Sequence, residues 1–589
     1  MSFILKENNA ANSKGYLFLV IALVFIVSCK KQTSGADVTP PPPPVDTTIV
    51  IQPAVDPPLA SSIGFFMDDW QAKTFTIPSY KDTSAGPNTG LTVNIDASNI
   101  ITKIPRSIAG NNANLWMSQM VTETPLMTHI TNLHPHIIRF PGGSISDVFF
   151  WNAPKNIPPA DAPTQLVKAD GTKETAGYWY GKNSESWTFS VDNYYSMLQQ
   201  TGNQGMITIN YGYARYSTAP DPVAAAAHLA ADWVRYDNGR TKYWEIGNES
   251  FGDWETGYRI NLATNKDGQP EYVTGDIYAQ HFKVFADSMR KAAQETGKKI
   301  EVGAVLYDSP PQSWNTNTVK NWNSGLTAKI ANSPDYYIVH SYFTPYNQQS
   351  NADVILNTGT VETKRLMDFV KQTLQSAALT QKPVALTEWN IFAIGLKQQV
   401  SHINGMHGVL VVGEALKNKF GMTSRWDFAN GWSGGDDHGM FNIGDEPDGA
   451  PKWNPRPVFY HLYFLQQFLG DRLVGSNVPA SSNIETFASS FSSGEVGAVL
   501  VNKSTTSQSV EIKVANFRTG TRYYWYTLTG GTDNGEFSRK VFINGNGPSG
   551  ASGGPANYTT IKPYSASAQN GIRVTLPARS VVCLVIDKK

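Results

Sequence analysis

Cysteine and an excess of charge of either sign are both lacking in this sequence, and each lack excludes a class of protein. The 589 residues include two cysteines, Cys29 and Cys583, so a disulfide framework is excluded. No group of cysteines and histidines has metal-ligand spacing, and we expect neither a metal nor an organic cofactor. Basic and acidic residues are balanced, 48 against 48, which leaves no electrostatic argument for binding nucleic acid.

The first 60 residues have the pattern of a processing segment followed by a tether. Lys6 and Lys14 precede an apolar run at 16–27 that is short for a membrane span and typical of a secretory signal. The run ends at Cys29 in a sequence that resembles a bacterial lipoprotein box, in which the cysteine is lipid-modified; an ordinary signal peptide is the alternative. We expect a lipoprotein signal peptide over 1–29 and a proline-rich linker over 30–60. The expected location is the outer membrane of a bacterium, facing the periplasm or the cell surface, with the lipid anchor as the only membrane contact.

The remaining sequence divides into three parts by its hydrophobic periodicity. Polar and apolar residues alternate over 61–100, for example at 73–77 and 91–95, and predict strands that pair with a later β domain. Residues 101–454 repeat a strand–helix pattern eight times, which predicts a (β/α)8 TIM barrel. Strand patterns return over 455–589 and predict a C-terminal β-sandwich. The predicted barrel strands are 106–109, 136–140, 205–210, 242–247, 299–305, 336–341, 383–388 and 423–429.

Two glutamates follow predicted barrel strands and are the candidate catalytic pair. The segment Tyr-Trp-Glu-Ile-Gly-Asn-Glu-Ser ends strand four and carries Glu249, and Thr-Glu-Trp-Asn ends strand seven and carries Glu388. Catalytic groups of such barrels lie at the carboxyl ends of the strands. A retaining glycosidase needs two carboxyls there, one as acid/base and one as nucleophile. Alone, Glu249 is also consistent with a helix cap or a surface acid and Glu388 with a buried ion pair; their spacing does not assign the two roles.

Polar and aromatic residues near the other strand ends are candidates for binding substrate. An arginine before Pro-Gly-Gly is placed to pair with the nucleophile and keep it ionised, although a structural ion pair is equally consistent. A tyrosine after strand six is placed to bond Glu388, while the nearby histidine also fits a core residue. Aromatic side chains suit sugar faces, but they suit cores as well. Asp436, Asp437 and His438 form a weak metal pattern and are better explained as loop residues. The candidate substrate-binding residues are Arg139, Asn210, Asn248, His340, Tyr342, Trp389 and Trp432.

These residues resemble clan A of the glycoside hydrolases and, within it, the family 51 α-L-arabinofuranosidases. The resemblance is carried by the segments 139–143, 210–212, 243–249, 340–342 and 388–390. It implies a retaining double displacement in which Glu249 is the acid/base and Glu388 is the nucleophile. It also implies an oligo- or polysaccharide substrate of plant or algal origin, cleaved without a cofactor.

Two positions depart from that family and keep other functions open. The family usually has a glutamate after strand one that holds the arabinose, whereas residues 110–114 read Gly-Asn-Asn-Ala-Asn; Thr387 stands before the nucleophile in place of an acid. One alternative is an endo-acting β-glycanase of the same clan, of glucanase, xylanase or agarase type, with an open cleft lined by Trp432 and Trp151. Another is a surface glycan-binding lipoprotein without activity, against which the retained pair of glutamates argues. The sequence does not indicate the oligomeric state.

Overall fold

A computed structural model describes residues 51–58, 65–67, 69–346, 348–392 and 397–589. The predicted signal peptide, Cys29 and most of the predicted linker lie outside these ranges. Residues 51–58 lie against the sheet domain: the Asp56 carboxylate accepts a hydrogen bond of 2.6 Å from Arg472, and the Gln52 N–H donates to Asn516. The predicted linker therefore ends too late, because this part of it is held by side-chain contacts. Within the described ranges, no helix is long and apolar enough to cross a bilayer.

Eight parallel strands close into a barrel, which confirms the predicted fold class. Strand eight pairs with strand one and closes the ring, with Ser424 opposite Gly110. Barrel strands one to eight are Gly110–Asn112, Ile137–Phe140, Gln204–Ile209, Thr241–Ile246, Glu301–Val305, Tyr336–Tyr342, Val384–Asn390 and Met422–Arg425. The helices that follow them in turn are Thr124–Leu133, Val191–Thr201, Pro222–Asp237, Gly275–Glu295, Asn317–Ile330, Ala352–Ser376, His402–Lys417 and Pro457–Phe468.

The helix Pro222–Asp237 illustrates how the sequence specifies this outer ring. The Asp221 side chain caps the helix by accepting a hydrogen bond from the Ala224 N–H at 2.9 Å, and Pro222 fits the first turn because its missing N–H is not needed there. Alanine has the highest helix propensity, and its small side chain lets helices approach closely. The buried face is Val223, Ala226, Ala227, Ala230, Ala231 and Val234.

Strand one differs from its prediction because it is polar. Residues Arg106–Ala109, predicted as the strand, form a 3-10 helix, and the strand begins at Gly110. The Asn112 amide donates to the backbone carbonyls of Thr387, Ser424 and Arg425 at 3.0–3.2 Å. Its side chain thus bridges strands seven and eight inside the barrel. Because strand one is polar, it cannot be predicted by searching the sequence for a run of apolar residues.

The boundary between the two domains also lies later than predicted. The helix Pro457–Phe468 follows strand eight and completes the barrel, so residues just after 455 belong to the barrel rather than to the sheet domain. Its ten consecutive buried or half-buried residues from Pro457 to Gln466 explain why its pattern resembles a strand: a helix covered on most sides has no polar stripe.

The sheet domain contains eleven strands in one hydrogen-bonded sheet; ten follow a single path, and Phe542–Ile543 pairs beside it with Thr519–Thr529. Thr92–Lys103 lies between Arg472–Asn477 and Gln508–Ala515, so an N-terminal strand is built into the C-terminal sheet. Residues 73–77, also predicted as strand, have no regular secondary structure. The other strands are Lys81–Asp82, Ile484–Ser490, Val496–Asn502, Thr519–Thr529, Phe542–Ile543, Tyr564–Ser567, Ile572–Leu576 and Ser580–Lys588.

This long sheet folds over on itself into two layers around a single core. The Tyr523 hydroxyl donates to the Arg573 carbonyl at 2.8 Å, although their strands are far apart along the path. Val93, Leu500 and Val574, from three separate parts of the path, share one cluster of buried side chains. The opposite face of one layer, which includes Val499 and buried Cys583, packs in the same core as the barrel helices.

Candidate active site

Strand four and the turn that follows it place the side chains of Glu245, Asn248 and Glu249 at the mouth of the barrel. Side chains alternate along a strand, so Tyr243 and Glu245 share one face while Trp244 and Ile246 share the other. Gly247 then turns the chain at φ +78°; a Cβ there would lie 2.4 Å from Ser250 Oγ, so the site excludes larger residues. Glu249 follows at φ +38°, a left-handed conformation that is rare for glutamate. This backbone is typical of a functional site at which local strain is tolerated.

The two candidate carboxyls meet across the barrel mouth. One carboxylate oxygen of Glu249 and one of Glu388 lie within 4.8 Å of each other and of a His340 ring nitrogen. That separation is close to the roughly 5–5.5 Å between the carboxyl groups of retaining glycosidases and is short for an inverting pair. These three side chains are also the group that could hold a metal ion among the described residues, since carboxylate and imidazole are common ligands.

Glu249 is held by two aromatic neighbours. The indole N–H of Trp254 donates to Oε2 at 3.0 Å, and His340 Nδ1 lies 3.0 Å from Oε1. The other ring nitrogen of His340 lies 3.1 Å from Thr387 Oγ1, which fixes the ring in place. Burial acts to raise the pKa of Glu249, but the contacts with His340 and Trp254 lower it below its usual value.

Glu388 is held by Tyr342 and Arg139. The Tyr342 hydroxyl donates to Oε1 at 2.7 Å, and Arg139 Nη1 lies 3.2 Å from Oε2. Burial raises the pKa of Glu388 above its usual value, although the charges of His340 and Arg139 oppose this. The pKa of Glu388 therefore lies above that of Glu249.

Arg139 is shared among several partners, which explains why it does not keep Glu388 fully ionised. Its Nε donates to Glu245 Oε2 at 2.6 Å, and both side chains are completely buried. Its two terminal nitrogens also donate to the side-chain oxygens of Asn112 and Asn248 at 2.9 and 2.8 Å. Because Glu245 is closer than Glu388, it neutralises much of the guanidinium charge. The predicted contact between Arg139 and Glu388 exists, but its effect on the ionisation of Glu388 is smaller than predicted.

A second pair of buried carboxyls lies behind Glu249. Asp147 accepts hydrogen bonds from the N–H groups of Tyr211 and Gly212 at 3.1 and 3.0 Å, and burial raises its pKa to about 7. Glu255 accepts from Asn248 and Ser144, each at 2.9 Å, and burial raises its pKa well above the usual value, with Asp147 and Glu249 adding to the effect. Neutral Glu255 thus orients the Asn248 amide that binds Arg139.

Three predicted substrate-binding residues have other surroundings. The Asn210 side chain bonds Phe149, Tyr213 and Tyr216 and holds a loop, so its polar atoms are already used. Trp389 is completely buried, because it points outward from strand seven while Glu388 points inward, and it packs on His407. Trp432 is half-buried, with the Arg539 guanidinium 4.8 Å from its ring centre.

Two further expectations also require correction. Trp151, expected in an open cleft, is buried and stacks on Trp233 with ring centres 5.6 Å apart. Asp437 is a buried partner of Arg456 at 2.5 Å rather than a solvated loop residue. By contrast, Arg139, Asn248, His340 and Tyr342 converge on the carboxyl pair as predicted. Trp426 follows strand eight and lies over Gly142 and Gly143, where a Cβ on Gly143 would be 2.6 Å from its ring.

Glu245, Trp254 and Asn112 belong to the site without having been predicted, although two of them carry a signal in the sequence. Glu245 is an acid inside a buried strand on the face shared with Tyr243, which marks a group pointing into the barrel. Trp254 lies five residues after Glu249 in a loop of small and polar residues. Asn112 follows a glycine at a strand end but lacks the charge that marks the other site residues.

Comparison with known proteins supports the resemblance found in the sequence. The family model for the alpha-L-arabinofuranosidase 1 domain matches residues 129–353, which include Arg139, Glu249 and Tyr342 and end before Glu388. A curated relative, the probable alpha-L-arabinofuranosidase C of Aspergillus terreus, is 23% identical over 295 residues, or 45% of this chain. The chain spans about half (49%) of that relative's length.

Solved structures share the fold over nearly their whole length. The alpha-L-arabinofuranosidase of Thermotoga maritima superposes with a TM-score of 0.58 at 17% identity, over 84% of this chain and 99% of that one. CelM2, a bifunctional glucanase-xylanase from a metagenome library, superposes with a TM-score of 0.54 at 14% identity, over 85% of this chain and 100% of that one. The fold is thus shared by proteins that are named for different glycosidase activities. The predicted resemblance to family 51 glycoside hydrolases is confirmed.

Proposed function

We propose that this chain is a retaining glycoside hydrolase that acts on a plant or algal oligo- or polysaccharide, with the activity of an α-L-arabinofuranosidase. The observation that carries the proposal is the pair Glu249 and Glu388, whose oxygens lie within 4.8 Å at the end of a closed barrel. A glycan-binding protein does not need two carboxyls at this separation, and burying them is costly. The match to the arabinofuranosidase domain supports the choice of substrate.

Glu388 is the proposed nucleophile and Glu249 the proposed acid/base. In the first step a Glu388 oxygen attacks the anomeric carbon while Glu249 donates its proton to the departing glycosidic oxygen, leaving a glycosyl ester. In the second step Glu249 takes a proton from water, the water oxygen attacks the same carbon, and Glu388 leaves as a carboxylate. Tyr342 and Arg139 stabilise that carboxylate by hydrogen bonds.

The assignment of roles rests on the family resemblance, because the pKa order of the two carboxyls is the reverse of what the first step needs. That step requires the proton on Glu249, whereas burial raises the pKa of Glu388 and His340 lowers that of Glu249. A sugar between the carboxyls must therefore favour transfer of the proton to Glu249.

The variant Glu388→Ala tests the nucleophile. We expect turnover of an aryl glycoside to fall about 10⁴-fold, equivalent to about 5.5 kcal/mol in the barrier. Azide should restore part of the rate by attacking from the position of the lost carboxylate, and the product should be a glycosyl azide of inverted configuration. Glu485→Ala, which removes an ion pair with Lys503 in the sheet domain, is the matched control and should keep full activity. Full activity in Glu388→Ala would refute the assignment.

An endo-acting β-glycanase is the second candidate, because residues 110–114 lack the glutamate with which family 51 enzymes usually bind arabinose after strand one. In that position the Asn112 amide is already bonded to three carbonyls and to Arg139, and a glucanase-xylanase shares the fold. A panel of 4-nitrophenyl α-L-arabinofuranoside, arabinoxylan, β-glucan and agarose separates the candidates. Release of single arabinose units supports the first, and a fall in polymer length without free arabinose supports the second.

The proposal for location is a lipid-anchored bacterial protein of the outer membrane, and it rests on the sequence around Cys29. Replacing Cys29 with serine should leave the protein soluble when cells are fractionated. Retention of that variant in the membrane fraction would contradict the proposed lipid anchor at Cys29.

A further inference from the structure

Trp254 combines two properties: its side chain is well exposed, and it bonds the proposed acid/base directly. The residue is 59% exposed, whereas the side chains of Glu249, Glu388 and Arg139 are 17%, 7% and 0% exposed. Its indole N–H donates to Glu249 Oε2 at 3.0 Å. A single exposed tryptophan is not unusual, but one bonded to a proposed acid/base lies at the entrance to the site.

The loop around Trp254 fixes which face of the indole is available. Gly252 lies against the ring, since a Cβ on it would be 2.4 Å from the ring atom Cε2. Phe251 meets the ring edge-on, with centres 6.3 Å apart and planes at 88°. These contacts hold the ring at one side and leave its remaining surface to solvent, so the exposed face is oriented before any sugar binds.

The chemistry of the first step determines which sugar lies near this face. The acid/base must be within hydrogen-bond reach of the oxygen that departs. The sugar that carries this oxygen is therefore next to Glu249, and Trp254 is in direct contact with the same carboxyl group. Aromatic faces suit the C–H faces of sugar rings, and the indole adds a large apolar surface without a charge.

We propose that Trp254 forms the binding site for the leaving-group sugar and positions the Glu249 carboxyl through its indole N–H. This rests on the proposed hydrolase function and deepens it: the natural substrate carries a further sugar, not a small alcohol, on the departing side. Trp254 acts as a specificity residue through its ring and as a positioning residue through its N–H. The two actions are separable, because phenylalanine keeps a ring and removes the donor.

Two variants test the two actions with a natural arabino-oligosaccharide and an aryl arabinofuranoside. For Trp254→Ala, we expect KM for the oligosaccharide to rise about tenfold, equivalent to about 1.4 kcal/mol, with a smaller change for the aryl glycoside. For Trp254→Phe, we expect KM to stay nearer the wild-type value. The pKa of Glu249 lies below that of Glu388 in the free protein, so Glu249 sets the acid limb of the kcat/KM profile. The N–H of Trp254 lowers the pKa of Glu249, so its loss should move this acid limb to higher pH.

Trp187→Phe is the matched control, because this tryptophan is 49% exposed and its indole N–H also donates to a glutamate, Glu185, at 2.8 Å. It should leave both KM and the acid limb unchanged. If the Trp254 variants match wild type in oligosaccharide KM and in the acid limb, the inference is overturned while the hydrolase function stands. If wild type cleaves none of the glycosides, the proposed function itself fails.

Discussion

Replacing Glu245 with glutamine tests the idea that this residue controls how strongly the Arg139 charge acts on Glu388, the proposed nucleophile. Glutamine has nearly the same shape and can still accept the hydrogen bonds that Arg139 Nε and Thr208 Oγ1 give to Glu245, at 2.6 and 3.0 Å. The substitution therefore removes a negative charge and little else. The guanidinium then has Glu388 as its nearest carboxylate, at 3.2 Å, and should favour its ionised form.

The size of the effect follows from the burial of the pair. An arginine beside a carboxyl lowers its pKa by about 1–3 units, and part of that effect is already present, so we expect a fall of about one unit, or about 1.4 kcal/mol. Breaking a buried pair costs about 3–5 kcal/mol; because Arg139 keeps Glu388 as a partner, the loss of stability should be at the low end. The double consequence is a less stable protein with a nucleophile that ionises at lower pH.

The assay is the pH dependence of kcat/KM on an aryl arabinofuranoside, together with thermal unfolding. The alkaline limb follows the higher of the two carboxyl pKa values, which is that of Glu388, and it should move about one unit down in Glu245→Gln. Glu301→Gln is the control, since Glu301 is also buried on a barrel strand but bonds Lys299 instead of Arg139. An alkaline limb that stays in place, or moves up, would refute the shared-charge explanation.

Two further predictions concern the acid/base and the buried carboxyls behind it. Glu249→Ala should slow cleavage of substrates with poor leaving groups far more than of activated aryl glycosides, because only the former need the proton; equal losses on both, measured as kcat/KM, would contradict the acid role. Asp147, whose pKa is raised by burial from 3.8 to about 7, should stabilise the fold most below pH about 4 and lose this contribution as pH rises through about 7. Thermal midpoints measured between these pH values should therefore decline more steeply in wild type than in Asp147→Asn, and parallel curves would place the titration elsewhere.

The parts of this molecule that follow a strict period are the ones that could be predicted from its sequence. Strands two to seven are apolar runs that alternate with helices, and their predicted positions agree within about two residues because burial on both faces demands such runs. The prediction of strand one is wrong because the strand is polar: the Asn112 side chain satisfies its polar groups inside the barrel, where it is fully buried. The last barrel helix is missed because nearly all of its surface is covered, which removes the amphipathic signal.

The same division holds at the site. Residues that lie at the carboxyl end of a barrel strand, as the two glutamates do, can be predicted from that position. His340 and Tyr342 at the end of strand six are examples. The prediction for Trp389 is wrong because adjacency in sequence is not adjacency in space: a strand sends neighbouring side chains to opposite faces. Asn210 lies at a strand end as predicted, but its amide is used by the loop that follows. Loop contacts of this kind depend on long-range packing, so no periodic pattern in the sequence predicts them.

The density of buried ionisable groups is itself an argument for chemistry at this place. Glu245, Glu255 and Asp147 surround the proposed pair, all nearly without solvent contact. A protein with buried charges of this kind is often less stable than one with apolar side chains of the same volume in their place. A protein that needed only stability, or only a surface that binds glycans, would therefore gain stability by losing these charges. What the network supplies instead is control over where a proton resides: Arg139 links Glu245 to Glu388, and Asn248 links Arg139 to neutral Glu255. A reaction that moves one proton onto a leaving oxygen and another off a water requires such control, and a binding surface does not.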